Sequence, residues 1–229
     1  MNDMSKKTIS RATVQTSDEN GKPLDLQSES VRAKAAYHHG GLREALTAAA
    51  FQLVCEQGAE HFKVSEACRL AGVSTAAPYK HFRDRDEILE AVVKMAFNAM
   101  KEKSMQAVAQ HGPGTLAGIA AMGESYVDFA VEQQPLFRLM FGQHPSIMEA
   151  ADVIEEGRDC FGSVIEQVAL FCANNNVDGD ATEIAVRLWT FVHGAASLII
   201  DGNYDKVVPG FDVKRMVRET TPMLLNVGG

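Results

Sequence analysis

The residues in this chain best suited to chemistry are those of a recognition surface. In Ser74-Thr75-Ala76-Ala77-Pro78-Tyr79-Lys80-His81, small side chains are followed by a phenol, an ammonium and an imidazole. Small residues let a backbone come close to a groove. Thr75 can hydrogen-bond a base edge or a phosphate, and Ala76 can touch a thymine methyl. Tyr79, Lys80 and His81 supply donors suited to phosphate oxygens. Lys63 and Ser65 open the preceding segment, where free backbone N–H groups also favour an anion. Arg83 and Arg85 stand just beyond, at the same end. This is non-covalent chemistry: contact with a duplex through its major groove. Each residue alone fits an ordinary solvated edge, but together their spacing suits a DNA-contacting face.

Bond-making chemistry finds no comparable set. The chain has no phosphate-cradling glycine loop, no H-E-x-x-H and no G-x-S-x-G. Glu155-Glu156 and Asp178-Gly179-Asp180 are acidic pairs whose neighbours suit helix starts or loops. Cys55, Cys68, Cys160 and Cys172 are scattered, with no C-x-x-C pair. They read as free, mostly buried thiols, with a thiol sensor using Cys160 and Cys172 left open. His38-His39 has no cysteine at metal-ligand spacing, so neither metal nor cofactor is expected.

The elements that must position the recognition residues follow from the pattern. Leu42, Ala45, Leu46, Ala49, Ala50, Leu53 and Val54 recur at helical spacing and predict a first helix that Gly58 ends. A second is expected from an N-cap at Ser65 to Gly72. A third is capped by Ser74, with Pro78 accommodated in its first turn. A fourth begins around Asp84 to Asp86 and runs through Met105 or beyond. After the breaker His111-Gly112-Pro113-Gly114, apolar-periodic segments lie near 115–133, 135–143, 147–175, 179–201 and 211–226. No segment alternates with period two. The expected fold is all-α, with about nine helices: an N-terminal three-helix helix-turn-helix domain and a larger C-terminal helical domain.

Composition agrees. At 229 residues the chain can bury a core, and 46% hydrophobic with 23% charged residues is ordinary for a globular protein. No apolar run is read as approaching the roughly 18 residues that span a bilayer. No signal-like segment is read at the start, so a cytoplasmic protein without a membrane is expected. Residues 1–95 carry 13 Lys/Arg against 13 Asp/Glu, and residues 96–229 carry 9 against 17. The whole net charge of −8 therefore belongs to the C-terminal part, away from the recognition segment. Affinity for phosphates depends on local rather than total charge, so the acidic balance does not exclude DNA. Residues 1–36, polar and with five acidic residues against six basic, read as a disordered arm.

Two segments carry a family resemblance. Tyr37-His38-His39-Gly40-Gly41-Leu42-Arg43-Glu44-Ala45-Leu46 and Ala71-Gly72-Val73-Ser74-Thr75-Ala76-Ala77-Pro78-Tyr79-Lys80-His81-Phe82 closely resemble the N-terminal domain of TetR-family transcriptional regulators. The Tyr-x-His-Phe that ends the family's recognition helix is here Tyr79-Lys80-His81-Phe82. The resemblance covers about residues 37–95 and implies phosphate contacts by Tyr79 and Arg85. It also implies base or backbone contacts by Thr75, Ala76 and Lys80. Gly41 departs from the Asp or Asn that relatives often carry as the cap of helix one.

The C-terminal part, 96–229, is less constrained. Trp189-Thr190-Phe191-Val192-His193-Gly194 resembles the Trp…His-Gly signature of one subgroup of TetR-family ligand-binding and dimerisation domains. The resemblance implies a homodimer through the helices near 179–201 and 211–226. Their stripes are Ala185, Leu188, Trp189, Val192, Ala195, Ala196 and Ile199, and Val213, Met216, Val217, Thr220 and Leu224. By periodicity alone these stripes are equally monomer core or interface. Phe129, Phe137, Met140, Phe141, Phe161, Phe171, Trp189 and His193 are the candidate lining of a pocket for a hydrophobic or aromatic small molecule. Each alone is also an ordinary core residue. The expected function is a ligand-responsive regulator, a repressor released from a pseudo-palindromic operator. The alternatives are a helical small-molecule-binding or scaffold protein without specific DNA binding, or, less favoured, an enzyme using the apolar pocket.

Overall fold

A computed structural model describes residues 41–142 and 144–225. Tyr37 to Gly40, the arm before them and the end of the last expected segment lie outside these described residues. Among the described residues the fold is all-α, with ten α-helices and no strand. They are α1 Leu42–Gln57, α2 Val64–Ala71, α3 Arg85–His111, α4 Leu116–Glu132, α5 Gln134–Phe141, α6 Pro145–Met148, α7 Ala151–Asn175, α8 Ala181–Ile200, α9 Asn203–Val207 and α10 Val213–Leu224.

The apolar face of α1 buries Leu46, Ala49, Ala50 and Val54. Helix α2 ends at Gly72, whose left-handed φ of 70° only glycine adopts cheaply. The N–H of Val73 then reaches the Cys68 carbonyl at 2.9 Å, satisfying an end-of-helix acceptor. Its start differs from the expected one. Lys63, not Ser65, is the N-cap, because the N–H groups of Glu66 and Ala67 bond to the Lys63 carbonyl.

The third expected helix also differs. From Ser74 onward the chain makes tight turns and a 3₁₀ segment, Pro78–Lys80, not an α-helix. The reason lies in Pro78. Counting from Ser74 as cap, its nitrogen is the fourth, the one that would make the first i→i−4 bond, and proline has no N–H. The chain uses i→i−3 bonds instead: Ala77 N–H to Ser74 and His81 N–H to Pro78, at 3.0 and 2.8 Å.

Helix α3 opens as expected on Asp84, whose carboxylate accepts the N–H of Glu87 at 2.9 Å. Glu87 reaches back to the Arg83 N–H at 2.7 Å, closing a reciprocal cap. The helix then runs unbroken across residue 95 to His111. The Gly112–Gly114 turn sends the chain back as α4. The expected helix over 147–175 is two, α6 and α7, separated by extended backbone at Ala150. Asp180 caps α8 by accepting from Thr182 and Glu183, which gives that acidic residue a structural role. Helix α9 has no counterpart among the expected segments.

Helices α3, α4, α5, α7, α8 and α10 enclose the main core, which continues without a break into α1 and α2. Most of the two C-terminal stripes faces inward: Ala185, Leu188, Val192, Ala195 and Ala196 on α8 and Val213 and Val217 on α10 are buried within the subunit, while Trp189 stays partly exposed. Helix α8 is, by length and composition, apolar enough to cross a membrane, contrary to the sequence reading. That apolarity is shared between the core-facing stripe and an outward face bearing Val186 and Leu198.

Gly114 holds φ at +62°, and a Cβ there would stand 2.6 Å from the Leu170 Cβ. Its N–H also donates to the buried Gln167 at 3.0 Å, tying the α3–α4 turn to α7. Gly114→Ala is therefore expected to destabilise the fold by about 1–3 kcal/mol, read as a lower urea midpoint with an unchanged slope.

Candidate nucleic-acid interface and ligand cavity

The turn after α2 presents Ser74, Thr75, Ala76, Tyr79, Lys80 and His81 to solvent, with Tyr79 at 64% exposure. Phe82 points the other way into the core and Pro78 is buried, which holds the segment down. Lys63 and Ser65, at the start of α2, are exposed too. Lys63 makes only a long surface pair with Glu66, 3.8 Å. Eight of the nine expected contact residues are thus solvent-facing. The tight geometry after Ser74 leaves them on a short turn and not along a full recognition helix.

Arg85 is placed differently. Its guanidinium donates to the carbonyls of Ala59 and Phe62 and lies over the Phe62 ring, 5.7 Å from its centroid. Much of its hydrogen-bonding capacity holds the α1–α2 connection against the start of α3. Arg43 does similar work and was not among the expected site residues. It stacks 4.2 Å from the Phe82 ring centroid, donates to the His81 carbonyl and pairs with Glu87 at 3.4 Å. Hydrogen bonds hold the Glu87 carboxyl below its usual range, chiefly those from the Arg83 N–H and side chain. These braces fix the recognition turn to the start of α3. Sequence alone offers no signal for them, since the partners are 38 and 44 residues apart.

The other half of α3 lines a cavity of about 320 Å³, at the small end of the roughly 300–1,000 Å³ of ligand pockets. Phe97, Met100, Lys101 and Ser104 come from α3, and Met122 and Tyr126 from α4. Helices α5, α7, α8 and α10 complete it. Its wall is nearly all apolar. Of the expected lining, Phe141, Phe161 and Trp189 face it. Phe129, Phe137, Met140, Phe171 and His193 do not. The first four are buried in the packed interior, which helical spacing cannot distinguish from a cavity wall.

His193 sits behind the wall. Its Nδ1 is 2.8 Å from the Tyr126 hydroxyl, and its ring stacks on Phe137 at 5.4 Å. Burial pushes the imidazole pKa down and favours the neutral ring, one of whose nitrogens shares a hydrogen bond with the Tyr126 hydroxyl. Burial likewise raises the Tyr126 phenol, so its proton stays put. The pair orients Tyr126 at the cavity. No group of metal-ligating side chains occurs among the described residues.

Cys160 also lines the cavity, and desolvation pushes its thiol up to about 11. A thiol that is protonated at neutral pH is a poor nucleophile. Alkylation of Cys160 by iodoacetamide, followed by mass spectrometry, is expected to be slow at pH 7. Its rate should climb about tenfold per pH unit to about pH 11. Fast labelling at pH 7 would restore the thiol-sensor alternative.

Residues 46–92 match a family model described as bacterial regulatory proteins, tetR family. Residues 119–223 match one described as tetracyclin repressor-like, C-terminal domain. A solved structure of a protein with unknown function from Rhodococcus sp. RHA1 is 31% identical. The match covers 83% of this chain and 96% of that one, with a TM-score of 0.70. The TetR-family transcriptional regulator PfmR from Thermus thermophilus shares the fold at 16% identity. That match covers 79% of this chain and 97% of the other, with a TM-score of 0.54. No curated protein matches the chain.

Proposed function

Since the chain belongs to the TetR family of DNA-binding transcriptional regulators, we propose that it is a cytoplasmic homodimeric repressor released from its operator by a hydrophobic or aromatic small molecule. The observation that carries this reading is the course of α3. Its first turn is braced through Glu87 and Arg43 to the turn that carries His81 and through Arg85 to the α1–α2 connection, and its later turns line the cavity. One rigid element thus joins the DNA-facing residues to the ligand-facing ones. Lys63, Ser65, Ser74, Thr75, Ala76, Tyr79, Lys80 and His81 are the proposed DNA contacts, and Arg85 adds a phosphate contact only with donor capacity its carbonyl partners leave.

Two reading heads on a two-fold axis read a pseudo-palindrome whose half-sites lie about 34–36 Å apart. A ligand that favours another separation weakens operator binding by its differential affinity for the two states. The dimer is proposed through α8 and α10. Support comes from their outward faces, where Val186, Leu198 and Met223 are exposed. A Cβ added at Gly194 would meet nothing, so a partner helix can come close there. The machinery is that of a regulator, with no catalytic step assigned to it.

The test is fluorescence anisotropy against DNA from upstream of the chain's own gene and a shuffled control. Selective binding in the range of roughly 10⁻⁸–10⁻¹¹ M, lost steeply as salt rises, is expected. Addition of apolar ligands should then release the DNA. Equal weak binding to both DNAs, or operator affinity unmoved by a broad ligand panel, would overturn the reading.

A further inference from the structure

The cavity has one polar feature that an apolar ligand leaves unused. Two residues with cationic heads are among those lining it, Lys101 from α3 and Arg158 from α7. Lys101 is taken up by Asp159 at 2.6 Å, an interaction that raises its pKa. Arg158 is exposed and has no ion-pair partner among the described residues, although Glu155 and Asp159 are on the same helix. Inside, the largely buried Ser104 hydroxyl also lacks a hydrogen-bond partner among the described residues. A guanidinium at the mouth of an apolar cavity suits a carboxylate, which its planar fork can meet with two parallel N–H bonds.

The Lys101–Asp159 pair does more than neutralise charge. It lies along the α3–α7 seam, where Lys94 also pairs with Asp152 and Gly157 lies against the Phe97 ring. A Cβ at Gly157 would be 3.3 Å from that ring, so the two helices meet closely there.

We infer that the cavity takes an amphipathic carboxylate, with its apolar tail among Met100, Met122 and Phe161 and its head group on Arg158, where it competes with Asp159 for Lys101. The inference rests on the proposed effector role of the cavity and adds to it the ligand's charge and the contact it breaks. Freeing Lys101 from Asp159 loosens the seam that holds α3, the helix whose first turn is braced to the recognition residues.

Trp189 is the sole tryptophan and lines the cavity, so its emission reports occupancy without DNA. The probes are decanoate, decanol and decyltrimethylammonium, titrated against wild type, Arg158→Gln and Asp159→Asn. Decanoate should bind saturably. Arg158→Gln should weaken it about five- to tenfold, in line with loss of a charge-assisted contact near the surface. Asp159→Asn should tighten it about threefold by freeing Lys101. Decanol should bind more weakly and respond to neither substitution, and the cation, repelled at Arg158, should bind most weakly and gain from Arg158→Gln. A loss of fold would move both variants the same way, whereas opposite shifts report the competition.

Decanol binding as well as decanoate, decanoate affinity unmoved by Arg158→Gln, or no saturable response to any probe would overturn the inference. Operator anisotropy with the same probes separates the two readings. Release of DNA by decanol leaves the regulator standing while the carboxylate head group falls.

Discussion

Tyr79→Phe combined with Lys80→Ala is expected to weaken operator binding by about 100-fold or more at constant salt. In a dimer each substitution counts twice, and a phosphate hydrogen bond contributes about 1 kcal/mol net. Four such contacts amount to about 4 kcal/mol, which at 1.4 kcal/mol per factor of ten exceeds 100-fold. Removing two lysine–phosphate contacts should also lower the log–log salt slope by roughly 1.8. Both side chains are exposed, and Phe82 and Pro78, which anchor the turn, are left in place. Stability should therefore stay within about 0.5 kcal/mol. Anisotropy titrations over salt, with a thermal melt and sedimentation on the same samples, check all three quantities. A variant that melts and dimerises normally and still binds its operator at full strength would remove this face from the interface.

Phe137→Ala is expected to act on the fold instead of the ligand. Phe137 is 4% exposed and packs edge-on to Tyr126 at 5.8 Å, against Phe141 at 4.8 Å and on the His193 ring. Truncation leaves a hole among these rings, which come from three helices, at a cost of about 3–5 kcal/mol. For a chain of this size the melting temperature should fall on the order of 10 °C. Phe161→Ala is the comparison. That ring is only half-buried, lines the cavity and lies 5.5 Å from Trp189, so its loss should cost less stability and alter ligand-induced Trp189 emission more. Equal melting temperatures for the two variants would show that Phe137 is not the core residue its surroundings indicate.

How much is legible depends on how local each feature is. The break at Gly72, the cap at Asp84, the turn through Gly112 and Gly114 and the cap at Asp180 each depend on residues within one turn. Pro78 is also a local signal, but its effect hinges on a single position in the turn. That position separates a tolerated proline from one that removes the first α-helical bond. The α8 and α10 stripes read as helical from their spacing, yet periodicity does not say whether they meet the subunit's own core or a second copy. The structure turns them inward and leaves Val186, Leu198 and Met223 outside.

By itself, the sequence determined an all-helical chain, the break at Gly72 and the solvent-facing polar residues that follow it. Hydrogen-bond caps, left-handed glycines and apolar spacing act over three or four residues, so they are written in order along the chain. Only the tertiary structure decided which aromatics border empty space. A cavity is the volume left unfilled where six helices meet, and Phe141, Phe161 and Trp189 have the same spacing signature as Phe129, Phe137 and Phe171. It also decided that the Arg85 guanidinium is held by the carbonyls of Ala59 and Phe62, and that Arg158 stands without an ion-pair partner among the described residues beside Lys101. Those outcomes depend on distances between segments tens of residues apart, which packing sets and local pattern does not encode.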